Sequence, residues 1–170
     1  MITVYMTVGL PGSGKSTWSK AFSNKNSNTV VVNRDAFRHM FKGEYVYDIT
    51  LEHLVKGAAK QTFIECLNEN YDIVIDETNF LKRVRKEWID AVKEYEKDHT
   101  RVNLVAVVFT EMRNNLSNRM NNDRGISKEQ WDTVIQGMKD KFEPVQQWEE
   151  GFDKVIHISF EKAMSGVIDE

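Results

Sequence analysis

Eight consecutive residues, Gly9-Leu10-Pro11-Gly12-Ser13-Gly14-Lys15-Ser16, constrain this chain more than any other feature. They fit the pattern G-x-x-x-x-G-K-[ST] without departure. The run before them, Ile2-Thr3-Val4-Tyr5-Met6-Thr7-Val8, is β-branched and aromatic, as a buried strand is. The run after them, from Lys15 to about Asn24, holds neither Gly nor Pro and predicts a helix. A glycine-rich turn therefore joins a strand to a helix. Glycines there let successive backbone N–H groups curl around an anion without Cβ clashes. The helix N-terminus adds partial positive charge. Lys15 can reach the β- and γ-phosphates of a nucleoside triphosphate, and the Ser16 hydroxyl can hold Mg²⁺. The bland alternative is a glycine turn that binds nothing. Eight positions in register, between a strand and a helix, weigh against it.

A chain of 170 residues is long enough for one domain, 1–170, with a real core. A net charge of −3 argues against a protein that coats long duplex DNA, which needs a broad basic face. It leaves room for a small basic patch that grips a strand end. The single cysteine, Cys66, reads as a buried thiol, and one cysteine excludes a disulfide within the chain. That fits a reducing cytoplasm. The first apolar run is short and leads directly into the glycine loop, unlike a secretory signal. No run reaches membrane-spanning length, so no membrane partner is expected.

Short apolar runs alternate with longer helix-like ones. Strands are predicted at about 2–8, 29–33, 72–76, 102–109 and 153–158. Helices are predicted at about 15–24, 35–42, 50–69, 81–98, 111–121, 128–141 and 160–167, with Pro144 marking a stop before the last strand. The run 102–109 is nearly all apolar, as when both faces of a strand are covered. This alternation predicts a three-layer α/β/α fold with a parallel sheet of about five strands. Ligands of such sheets bind beyond the C-terminal strand ends.

Chemistry-bearing residues fall just after those ends. Asp35, in Asn33-Arg34-Asp35-Ala36-Phe37-Arg38, stands where a helix begins. It can be an N-cap, or a general base that orients an acceptor hydroxyl. Arg38 lies one turn on, either as a surface ion-pair partner or as a clamp for an acceptor phosphate. After the third strand come Asp76 and Glu77. Neighbours on a strand point to opposite sides, so one of the two faces a metal, and Asp76 is favoured. Thr78 and Asn79 add neutral groups near the phosphates. The stretch Lys82-Arg83-Val84-Arg85-Lys86 places cations at a helix N-terminus, against the dipole. It reads either as a solvated helix start or as an acceptor contact through Arg83. Beyond the fourth strand, a helix with Arg119 leads into an Asn-rich loop with Arg124. This is a surface helix end, or an Arg-bearing lid that closes over a triphosphate and excludes water.

Four blocks together resemble the kinase domain of the phage polynucleotide 5′-hydroxyl kinases. They are G-x-P-G-S-G-K-S-T-W (Gly9 to Trp18), N-R-D-x-x-R (Asn33 to Arg38), D/E-T-N (Asp76 to Asn79) with Arg after it, and a lid ending Arg124-Gly125. They run in the same order over roughly residues 1–141. The resemblance implies a P-loop fold that binds ATP and Mg²⁺. It assigns Gly9, Pro11, Gly12, Ser13, Gly14, Lys15, Ser16 and Thr17 to the nucleotide, with Arg119 and Arg124 from the lid. It makes Asp35 the base, Arg38 the contact to the acceptor phosphate and Arg124 the group acting on the transferring phosphoryl. The acceptor it implies is the 5′-hydroxyl end of DNA or RNA. The family's D-T-N aspartate lines up with Glu77, and Asp76 is an extra acid before it. Small-molecule kinases share the loop and the lid, so a small-molecule, nucleoside or modified-base hydroxyl is the alternative acceptor. A nucleotide-dependent switch is a third reading, opposed by the absence of an N-K-x-D or T-K-x-D segment.

Overall fold

The computed structural model describes residues 1–110, Arg119 and 125–168. The predicted helix over 111–121 and the Arg124 assignment therefore lie outside the described residues. In chain order the elements are β1 (Thr3–Val8), α1 (Lys15–Lys25), β2 (Thr29–Val32), α2 (Arg34–Lys42), α3 (Glu52–Asn68), β3 (Asp72–Ile75), α4 (Lys82–Glu96), β4 (Asn103–Phe109), α5 (Lys128–Asp140), α6 (Gln147–Glu150), β5 (Lys154–Ile158) and α7 (Phe160–Ser165).

The strands form one parallel sheet in the order β2-β3-β1-β4-β5. In the centre Val4 is aligned with Ile73 on one side and Leu104 on the other. Alternation along each strand divides the core into two layers. Val4, Met6, Ile73, Ile75, Leu104 and Ala106 join Phe63 and Leu67 of α3 and Trp88 and Ile89 of α4. Val74, Val105, Val107 and Phe109 face the other way, toward Trp18 and Phe22 of α1 and Ala163 of α7. Helices thus cover both faces, which is why the strands read as continuous apolar runs.

Helical spacing explains the covers. In α3 the buried residues are Val55, Ala59, Phe63 and Leu67, each four apart on one stripe. In α1 Trp18 and Phe22 stack at 4.8 Å between ring centroids, and Tyr5 meets Phe22 edge-on at 4.9 Å. Residues 141–146, which include Pro144, follow the end of α5 at Asp140. The one-turn helix α6 was not legible, being too short for a periodic signal. Cys66 is half-buried rather than fully enclosed, and burial pushes its thiol pKa up.

Candidate active site

The order β3-β1-β4 puts the C-terminal ends of three strands around the loop 9–14. The Gly9 N–H donates to the Thr78 carbonyl at 2.9 Å, which ties the start of the loop to the segment after β3. A Cβ on Gly9 would lie 2.8 Å from Ser13 Oγ and 3.0 Å from Phe109 Cβ, so a side chain there would force its neighbours to shift. Gly14 is the N-cap of α1 with φ +92°, a conformation that L side chains rarely adopt. Pro11 and Gly12 are half-buried, Ser13 is buried, and Ser16 and Thr17 on the first turn of α1 are exposed.

Lys15 folds back over its own loop. Its Nζ donates to the Leu10 carbonyl at 2.7 Å and to Ser13 Oγ at 3.3 Å. Only 7% of the residue is exposed. Burial pushes its pKa down to about 8, Asp76 opposes the fall, Arg119 adds to it and Asp35 opposes it. Lys15 is thus within electrostatic reach of the candidate metal ligand, the candidate base and Arg119.

Asp35 does not cap α2. The cap is Asn33, whose side chain accepts from the Ala36 N–H at 3.2 Å. Asp35 lies in the first turn, and its Oδ1 accepts from Arg38 Nη1 at 2.5 Å. Arg38 is also bound bidentately by Glu52 of α3, at 2.8 Å from Nε and 2.7 Å from Nη2. That pair lowers the pKa of Glu52 and raises that of Arg38. Glu52 is fourteen positions beyond Arg38, and no local pattern marks it as a partner.

The two acids after β3 separate as strand alternation requires. Asp76 Oδ2 accepts from Asn33 Nδ2 at 3.0 Å, while its buried Oδ1 has no hydrogen bond. Burial raises its pKa against the Ser16 hydroxyl, the Lys15 ammonium and the Asn33 amide. Glu77 turns to Arg34, with Nε–Oε1 at 3.2 Å, and to Trp88 Nε1 at 3.4 Å. Its pKa is also raised by burial, with Arg34 opposing. Of the two acids offered for a metal, Glu77 is the one paired with a cation, Arg34, and Asp76 is the one beside Ser16. An orphaned buried carboxylate oxygen beside a hydroxyl fits a hard divalent cation. Among the described residues no group of three His, Cys, Asp or Glu side chains gathers.

Asn79, with φ +44° and 1% exposed, donates its Nδ2 to the Thr7 carbonyl at 2.9 Å. One of its amide N–H groups thus serves the scaffold, while its buried Oδ1 has no hydrogen bond. Thr78 is half-buried and serves the loop through its backbone carbonyl. The basic stretch of α4 is not one patch. Arg85 is wholly buried, paired with Glu150 of α6 at 2.6 and 2.8 Å, and donates to the Asn79 carbonyl at 2.9 Å. Lys82 pairs with Glu149 and Lys86 with Asp90, while Arg83 is exposed. The Arg119 guanidinium carbon lies 4.5 Å from the ring centroid of Trp131 in α5.

The AAA domain family matches residues 4–145. The chain belongs to that family. Within it this is a P-loop kinase domain. It is 29% identical over 141 residues to L-seryl-tRNA(Sec) kinase of Methanococcus maripaludis, covering 79% of this chain and 50% of that protein. The chain thus spans about half the length of that curated relative. A chain of the Pnkp1/Rnl/Hen1 RNA repair complex is similar with a TM-score of 0.65 and 26% identity, over 84% of this P-loop kinase domain and 46% of that chain. The APS kinase CysC of Mycobacterium tuberculosis shares the fold, with a TM-score of 0.64 at 13% identity over 95% of this chain and 93% of that one.

Proposed function

We propose that this chain is an ATP-dependent kinase that transfers the γ-phosphate of ATP to the 5′-hydroxyl of DNA or RNA, acting as one domain over 1–170 in a reducing cytoplasm. One observation carries the reading. Asp35 is relieved of capping by Asn33, hydrogen-bonded to Arg38, and within electrostatic reach of Lys15. A carboxylate so placed can accept the proton of an attacking hydroxyl as its oxygen bonds to the γ-phosphorus and the bond to the β–γ bridging oxygen breaks.

The other residues take complementary parts. The loop N–H groups and Lys15 hold the phosphates. Ser16 and the orphaned Oδ1 of Asp76 would hold Mg²⁺, which when bound draws charge from the β- and γ-oxygens. Arg119, close enough to Lys15 to lower its pKa, adds positive charge at the phosphates. Arg124 is proposed as its lid companion. Arg38 orients Asp35 and presents its remaining N–H groups to an acceptor phosphate, with exposed Arg83 as a further contact. Similarity to an L-seryl-tRNA(Sec) kinase and to a chain of an RNA repair complex supports a nucleic-acid acceptor. Among the described residues no helix is long and apolar enough to cross a membrane.

A second reading, transfer to a small-molecule hydroxyl, draws on the state of Arg38. Glu52 and Asp35 already offset much of its charge, which weakens it as a phosphate clamp.

The test of the base is Asp35→Asn. Asn keeps an acceptor for Arg38, and the cap at Asn33 is untouched. Transfer is expected to fall about 10²–10⁴-fold while ATP affinity holds. Turnover like that of the wild type would remove Asp35 from the chemistry.

A further inference from the structure

We propose that Tyr47 is a stacking platform for an unpaired base near the 5′ end of the acceptor strand. The proposal rests on the nucleic-acid reading above and names the residue that would select such an acceptor.

Tyr47 lies in the connector between α2 and α3 and is 62% exposed. A ring this open contributes little to the core. Yet it is held in place. The Arg38 guanidinium carbon lies over it, 5.6 Å from the ring centroid. Arg38 is itself fixed by Glu52 and by Asp35, so one residue links the ring to the proposed base. The connector is also folded by its own bonds. Gly43 closes α2 in the left-handed region. Directly after Tyr47, Asp48 Oδ1 accepts from the Thr50 N–H at 2.9 Å and from Thr50 Oγ1 at 2.6 Å. The Asp48 carbonyl accepts from the Leu51 N–H at 2.9 Å. One face of a fixed aromatic ring is therefore covered by a cation, with most of the residue open to solvent beside the place where the acceptor hydroxyl must enter. Aromatic rings backed by arginine are the elements that hold single strands without reading sequence.

The charges around the ring are paired, so the ring itself contributes stacking beside the phosphate contact proposed for Arg38. Lys42 is paired with Asp48 at 3.5 Å, and Arg38 with Asp35 and Glu52. Binding at this ring is therefore expected to depend only weakly on salt, unlike binding through several phosphate contacts. A paired end offers its bases stacked on one another. An unpaired end can place one on Tyr47, so single-stranded 5′ ends are the preferred acceptors.

The experiment measures steady-state phosphorylation by the full chain with γ-labelled ATP. Acceptors are a single-stranded 5′-hydroxyl oligonucleotide and the same strand made abasic at its first or its second nucleotide. Tyr47→Ala is expected to raise the acceptor KM roughly tenfold to a hundredfold, with kcat and the ATP KM near those of the wild type. Tyr47→Phe keeps the ring and stays close to the wild type. Tyr47→Leu keeps apolar bulk without the π face and behaves like the Ala variant. For the wild type, one of the abasic strands has a raised KM, and in Tyr47→Ala that penalty disappears. An unchanged acceptor KM in Tyr47→Ala, or an undiminished abasic penalty, overturns the platform while leaving the kinase reading intact. If the wild type phosphorylates no oligonucleotide, the nucleic-acid reading fails first and the platform with it.

Discussion

At the scale of single residues, Lys15 is where function costs stability. Its folded-state pKa of about 8 lies below the ordinary 10.5 because the ammonium is buried. Between those values the unfolded chain holds a proton that the folded chain has shed, so Lys15 makes stability rise with pH across this window. Below pH 8 the penalty is complete, on the order of 3 kcal/mol. Lys15→Met is therefore expected to raise the melting temperature of the nucleotide-free protein at pH 7 while abolishing ATP binding and transfer. Its advantage should shrink as pH climbs from 8 toward 10.5. Melts of the two proteins across this range check the sign, and a variant less stable at pH 7 would contradict it. Some of this residue-level logic was legible in the sequence. The eight loop positions announced themselves because their spacing is local. The division of labour between Asn33 and Asp35 was not legible, since both residue types cap helices well and only geometry shows which one accepts from Ala36.

At the scale of elements, the instructive contact is α4 to α6. The cations of Lys82–Lys86 suggested a surface for an acceptor, yet Arg85 points inward to Glu150 and to the carbonyls of Asn79 and Glu143. It thereby fixes the segment that carries Asn79, which in turn holds the end of β1 through Thr7. Truncating one partner of a buried pair leaves the other charge uncompensated, typically at about 3–5 kcal/mol. The exposed pair Lys86–Asp90 is worth about 0–1 kcal/mol. Arg85→Met is therefore expected to lower stability severely and Lys86→Ala hardly at all, as denaturant melts would measure. Equal effects would return the stretch to a solvated surface role. The sequence could not separate these lysines and arginines. The partner of Arg85 lies 65 positions away, on a helix of one turn. Strands and long helices were legible within a few residues because their apolar periodicity is set by the layers they enter.

At the scale of the whole molecule, the sheet order β2-β3-β1-β4-β5 makes one site from segments distant in sequence. The loop after β1, the start of α2 after β2 and Asp76 after β3 meet at one edge of the sheet. The alternation of strands and helices foretold such a sheet, and the motif blocks lie after its strand ends. Contacts between blocks, such as Glu52 on Arg38 and Arg34 on Glu77, had no local signature. The acceptor is the central claim, and it is tested most directly by competition in one vessel. The full chain, with Mg²⁺ and γ-labelled ATP, is offered 5′-hydroxyl DNA and RNA oligonucleotides, seryl-tRNA, a nucleoside and a sugar at equal concentration. The account predicts label on the 5′ oxygen of the oligonucleotides, lost when Asp35 is replaced by Asn. Label that settles on the seryl-tRNA, the nucleoside or the sugar, with the oligonucleotides untouched, would contradict it.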